Sequence, residues 1–394
     1  MFSIRTNWQR KPNRLTELYN LLRDNGEKIL DLTASNPTQC GIVYPANEIL
    51  PSLGNPRSLQ YDPQPQGIIP ARKAVCAYYR SRDVDLSPHQ VFLTASTSEA
   101  YSTVFKLLCN AGDEVLIPRP SYPLFEYLAQ INDVAMQHYS LRYDGVWHID
   151  FDSLTASITE KTKAIIIIHP HNPTGMFLKK YEHERLVQIA TEHRLALIVD
   201  EVFLEYGFSD YAEKFNSSAS ERRVLTFTLN GISKMIGMPQ MKLGWIVLSG
   251  PDVELAEASH RLEMLCDTFL SVNTPVQEAL STLFQSGESV REQIMERIKS
   301  NYAFLDRSLG NGGNCSLISS EGGWYGIIRV PRIKSDEEWC IGILRETKVY
   351  LYAGYHFDFE EEGFLIVSLL PENKIFEDGV QRIIEYIDKT SFPK

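Results

Sequence analysis

Ala164-Ile165-Ile166-Ile167-Ile168 runs directly into His169-Pro170-His171-Asn172-Pro173-Thr174-Gly175. Apolar residues without a polar break fit a strand covered on both faces, and the Asn-Pro-x-Gly that follows is turn chemistry. The turn therefore sits at a strand's carboxyl end, where open α/β sheets bind ligands. Outward from this point the pattern repeats. Apolar runs at Val91–Thr94, Glu114–Pro118, Leu195–Val199, Val224–Leu229 and Leu243–Leu248 alternate with helix candidates at Ser98–Cys109, Tyr181–His193, Asp252–Met264 and Pro275–Leu309. This alternation predicts an α/β fold whose large domain is doubly wound around a mainly parallel central sheet.

Near residue 310 the character changes. Asn311-Gly312-Gly313-Asn314 is a turn-rich break. A strand at Tyr325–Val330, a helix near Asp336–Thr347, a strand at Phe364–Leu369 and a helix near Phe376–Asp388 then read as a smaller α+β domain. The expected division is a large domain at 45–309 and a small domain made of 310–394 with the N-terminal segment 1–44.

Composition narrows the function. The 394 residues carry a formal net charge of −11, so nucleic acid is not expected as a partner. Six cysteines stand at scattered positions without a C-x-x-C pair, which supports neither a disulfide framework nor a metal site. Met1 to Lys11 holds Arg5, Arg10 and Lys11 but no apolar core of a signal peptide. The aliphatic run at Ala164–Ile168 is too short to span a membrane. A cytoplasmic protein without membrane contact is the expectation.

Four segments carry chemistry. Leu93-Thr94-Ala95-Ser96-Thr97-Ser98-Glu99-Ala100 passes from a strand end into a helix start. Small hydroxyl residues there suit an anion, because helix N-termini offer open N–H groups, though a plain N-cap reads the same way. Pro120-Ser121-Tyr122-Pro123 places a tyrosine between turn formers, either to stack on a flat ring or to pack. The turn at Asn172 is the third. His169 and His171 within it have no nearby carboxylate or thiol to complete a metal site. The fourth pairs Val199-Asp200-Glu201 with Gly231-Ile232-Ser233-Lys234, each at a strand end. A lysine and an aspartate facing one site are what pyridoxal phosphate needs: an amine to hold the cofactor and a carboxylate to keep its ring nitrogen protonated.

Taken in order, these segments resemble the class I/II aminotransferases, which are fold type I pyridoxal-phosphate enzymes. The resemblance runs from about Asp31 to Leu369 and rests on Tyr61-x5-Gly67, Ser96–Ser98, Ser121-Tyr122-Pro123, Asn172-Pro173-x-Gly175, Asp200-Glu201, Ser233-Lys234 and Leu243-Gly244-Trp245. It implies that Lys234 is the Schiff-base lysine and Asp200 the partner of the ring nitrogen. It implies also that Asn172 bonds the 3-oxygen, Tyr122 stacks on the ring, and Ser96, Thr97, Ser98 and Ser233 hold the phosphate. Tyr61 would reach the phosphate of a neighbouring subunit, which implies a homodimer with shared active sites.

The sequence departs from the family pattern in four places. Phe203 replaces a tyrosine, Gly231 a serine, and Lys242 the phosphate-pairing arginine, so a charge remains there without its fork. On the last strand, Ile366 occupies the position matched to the arginine that clamps a substrate carboxylate. Arg329 is a candidate replacement, or an ordinary surface arginine. His356 is a candidate substrate contact, or a turn histidine. The leading expectation is an aminotransferase acting on an amino acid or related amine. The alternatives are elimination with cyclisation of a modified amino acid on the same cofactor, and a non-catalytic sensor domain.

Overall fold

The computed structural model describes residues 1–8, 12–209, 214–310 and 313–391. Arg10, Lys11 and the Asn311-Gly312 half of the expected break lie outside the described residues. An eight-stranded sheet dominates, in the order Val91–Thr94, Gly244–Ser249, Thr226–Gly231, Ala196–Asp200, Thr162–Ile168, Glu114–Arg119, Ala135–Tyr143, Trp147–Ile149. Gly244–Ser249 and Trp147–Ile149 run against the other strands, which are mutually parallel.

The reason the central strands read as unbroken apolar runs is visible in the packing. Ile165 and Ile167 enter one buried cluster, with Leu197, Val199, Trp245 and the helices at Ile69–Arg80 and Lys180–His193. Ala164, Ile166 and Ile168 enter the other, with Ile198, Phe227 and the helices at Thr97–Leu108 and Asp252–Phe269. Side chains alternate across a strand, so two covered faces demand apolar residues at every position. Each such buried isoleucine contributes about 1.5–3 kcal/mol.

The expected strands are present, with ends shifted by a residue or two. Ala135–Tyr143 and Trp147–Ile149 were not expected. Ala135–Tyr143 mixes exposed, half-buried and buried residues along its length, so it carries no continuous apolar run.

A second, antiparallel sheet follows the order Ser316–Ile318, Tyr325–Arg329, Phe364–Ser368, Tyr352–Ala353. Leu30–Asp31 pairs in parallel with Val349–Tyr350 and so ties the N-terminal segment to the C-terminal part of the chain. Between the sheets runs the helix Thr274–Leu309, started by the Asn273 side chain accepting from the Val276 N–H. It packs on the helices at Ala46–Leu53, Ile69–Arg80 and Asn373–Ser391, and so touches elements from both ends of the chain.

Candidate active site

Parallel strands put their carboxyl ends on one edge of the sheet, and the segments that carry chemistry all leave from that edge. Ser96 follows Thr94, Tyr122 follows Arg119, Asn172 follows Ile168, Asp200 ends its strand, and Ser233 and Lys234 follow Gly231. Lys242 joins them because Gly244–Ser249 runs the opposite way and begins at this edge. Together they line a cavity of about 390 Å³, closed on its other side by Tyr325, Tyr352, His356 and Phe357.

Asp200 is buried. The Tyr101 hydroxyl donates to its Oδ2 at 3.1 Å and the Val202 N–H to its Oδ1 at 3.1 Å. Burial outweighs these donors and pushes the carboxyl up to about 6. Glu201, next in the chain, points elsewhere: the Ser217 hydroxyl and the Ser218 N–H donate to it at 2.9 and 2.8 Å.

Lys234 stands on the neighbouring strand's exit. Its Nζ lies 4.9 Å from the Trp324 ring centroid and 5.9 Å from that of Phe203. Burial pulls the ammonium down to about 8. The Tyr206 hydroxyl donates to the Lys234 carbonyl at 2.7 Å and fixes the backbone beneath the side chain.

At the far corner the helix Thr97–Leu108 begins. Ser96 caps it by accepting from the Glu99 N–H at 3.2 Å. A Cβ on Gly244 would stand 3.1 Å from the Ser96 carbonyl carbon and 3.2 Å from the Thr97 nitrogen, so any side chain there would crowd the strand against the helix start. The Asn172 turn is pinned similarly. Gly175 has φ +68°, and a side chain there would overlap the Gly322 carbonyl and the Ser320 hydroxyl.

Comparisons with known proteins show the family. A family model described as aminotransferase class I and II matches residues 29–383. The chain belongs to this family. A glutamate-pyruvate aminotransferase of Haemophilus influenzae is 29% identical over 377 residues, covering 93% of this chain and 92% of that protein. An alanine aminotransferase of Mycobacterium tuberculosis is 26% identical over 381 residues, 93% of this chain and 87% of the relative. Among solved structures, an alanine aminotransferase from Pyrococcus furiosus superposes with a TM-score of 0.88 at 25% identity, covering 99% of this chain and all of that one. The protein is a pyridoxal-phosphate-dependent aminotransferase of fold type I.

The residues present fit that cofactor. Asn172 Oδ1, a buried acceptor, has no hydrogen-bond partner at the cavity wall. Asp200 is a buried carboxylate whose two donors do not offset its burial, and a cationic ring nitrogen would favour its ionised form. The start of the helix at Thr97 offers open N–H groups to a phosphate.

One of the candidate substrate residues falls outside the cavity. Arg329 does not line the cavity. Its strand enters at Tyr325, and Arg329 lies at the other end, exposed, with its guanidinium 5.7 Å from the Phe364 ring centroid. His356 does line the cavity, but both ring nitrogens face the protein: Nδ1 is 3.3 Å from the Ala353 carbonyl and Nε2 is 3.4 Å from Asn13 Nδ2. Burial lowers its pKa and so favours the neutral ring. Tyr61 is 84% exposed and lines a separate groove with Phe269 and Gln277. His169 and His171 are buried and pushed down to about 3 by burial. No His, Cys, Asp and Glu cluster among the described residues is arranged to hold a metal.

Sequence reasoning missed Tyr101, Tyr206 and Ser35. Tyr101 stands four residues after Thr97, one helical turn along the same face, and that spacing was a usable signal. Ser35 follows the Leu30–Asp31 pairing, which only the tertiary structure reveals. Among the described residues no helix is long and apolar enough to cross a membrane.

Proposed function

We propose that this aminotransferase carries its cofactor on Lys234 with Asp200 at the ring nitrogen. The observation that supports this most is that the two residues leave adjacent parallel strands at the same edge and face one cavity. When bound there, pyridoxal phosphate supplies an electron-withdrawing ring that makes the hydrogen on the amine-bearing carbon removable. Asp200 holds the proton on the ring nitrogen, and Tyr101 and Val202 hold Asp200 in place. Lys234 moves the proton at the reacting carbon. Its pKa of about 8 leaves an appreciable unprotonated fraction near neutral pH, as a base needs. Asn172 holds the 3-oxygen and Tyr122 covers the ring face. Ser96, Thr97, Ser98, Ser233 and Lys242 take the phosphate.

The partner is a second copy of the chain. Tyr61, largely exposed outside its own cavity, reaches the phosphate of that copy and makes the sites shared. The substrate is a small molecule, an amino acid or related amine. Incubating the enzyme with amines and amino acids, with and without an oxo-acid acceptor, tests the reading. Amino-group transfer that requires the acceptor is expected. Product made equally well without an acceptor would mean elimination, with or without cyclisation.

A further inference from the structure

We propose that Trp324, together with Phe203, is a positioning residue that seats the amine of Lys234 while it is free of the cofactor and keeps a proton on it between uptake and return. The inference rests on the reading of Lys234 given above and deepens it. Once a substrate amine has taken its place on the cofactor, Lys234 is a free amine. It takes a proton from the amine-bearing carbon: the C–H bond breaks, an N–H bond forms, and the electron pair passes into the cofactor ring. Lys234 then returns a proton to the cofactor's reacting carbon, where the electron pair closes a new C–H bond. Between the two transfers the lysine is an ammonium in a buried place, and burial opposes that charge.

Two rings offset the burial. Nζ lies over the Trp324 ring at 4.9 Å and over the Phe203 ring at 5.9 Å from the centroids. Both distances fall within the roughly 6 Å over which the negative face of an aromatic ring attracts a cation, and tryptophan attracts best. The attraction grows where water is excluded. Trp324 is 1% exposed and Phe203 5%.

The seat is held in place. Trp324 meets Phe203 edge-on at 5.3 Å and Tyr206 edge-on at 5.1 Å. The Tyr206 hydroxyl donates to the Lys234 carbonyl at 2.7 Å. One short strip, Phe203 to Tyr206, therefore bears on Lys234 at its amine and at its backbone. The chain before Trp324 is joined to the same strip: the Gly323 N–H donates to the Tyr206 carbonyl at 2.8 Å, and the Phe208 N–H to the Glu321 carbonyl at 2.9 Å. The titratable groups that share the cavity come from other elements: Asp200, Lys242, Tyr122, Tyr325, Tyr352 and His356. They are unchanged when only the 324 ring is altered, so a difference between variants reports the ring.

The test changes the ring's charge distribution and keeps its shape. Tryptophan fluorinated at several ring carbons is incorporated at position 324 alone, since fluorine draws electron density from the ring face. The enzyme is loaded with pyridoxamine phosphate, in which form the Lys234 amine is free. Competitive acetylation with trace acetic anhydride across a pH series, read by peptide mass analysis, then gives the titration of Lys234. The ammonium form should be weakened, so Lys234 is expected to titrate lower by about half a pH unit to one pH unit than in the unmodified enzyme. An unchanged or higher titration overturns the proposal and leaves Trp324 a packing residue. Borohydride reduction of the pyridoxal-phosphate form of the same protein separates the two readings. A lowered titration with the cofactor fixed on another lysine keeps the seat and removes the cofactor assignment. A label on Lys234 with an unchanged titration removes the seat alone.

Discussion

The two walls of the Lys234 cavity are built by different rules. The wall made by the large sheet consists of strand ends: Ser96, Asn172, Asp200, Ser233 and Lys234 leave parallel strands at one edge, and each presents a polar group. The wall made by the four-stranded sheet consists of strand faces: Tyr325 and Tyr352 stand on it, with Ile366 and Ile327 in the same layer. Strand ends are free of packing on both faces and can carry charge. A strand face inside a core is held to apolar or aromatic residues. The comparison teaches that ionisable and hydrogen-bonding groups gather on one wall of the cavity, and aromatic and apolar residues on the other.

The largest effect should come from the strand-end wall. Lys234→Ala is expected to lower turnover by roughly 10³-fold or more while circular dichroism stays unchanged, because the residue serves chemistry more than packing. Residual activity within tenfold of wild type would break the contrast between the walls.

Asp200→Asn should cost about 10²–10³-fold in kcat, the scale of losing one preorganised electrostatic partner. The same change has an opposite sign in the cofactor-free protein. The folded carboxyl titrates near 6, above its ordinary 3.8. Folding is therefore favoured by this group below about pH 4, and that contribution is lost as pH rises through 6. At pH 7 the loss is on the order of 2–3 kcal/mol. Cofactor-free Asp200→Asn should then melt above the cofactor-free wild type at pH 7, and the two should converge near pH 4. A lower melting temperature at pH 7 would show that the buried carboxylate is already compensated.

The smallest effect is expected from Tyr101→Phe. It removes a single donor to Asp200 at 3.1 Å and leaves the ring's packing against Phe125. A drop of about tenfold in kcat, with the acid limb of the pH profile moved upward, is expected. An unchanged pH profile would limit Tyr101 to packing.

How much was legible in the sequence follows the same division. The Thr162–Ile168 and Ala196–Asp200 strands could be read because both faces are covered, and the residues at their ends stand out as polar against that run. Ala135–Tyr143 could not, since it mixes exposed, half-buried and buried residues without a continuous apolar run. The two readings of Arg329 could not be told apart because a sequence gives the strand but not which of its ends enters the site. Four residues at strand spacing carry it about 13 Å from Tyr325. Ser35 was invisible because its position depends on the pairing of Leu30–Asp31 with Val349–Tyr350, more than three hundred residues away in the chain.

The central claim, that Lys234 carries the cofactor, is tested most directly by reducing the yellow holoenzyme with borohydride and mapping the labelled peptide. The label is expected on Lys234 alone, within the segment Gly231-Ile232-Ser233-Lys234, and absent from Lys234→Ala. A cofactor found on Lys242 or any other lysine would contradict the account.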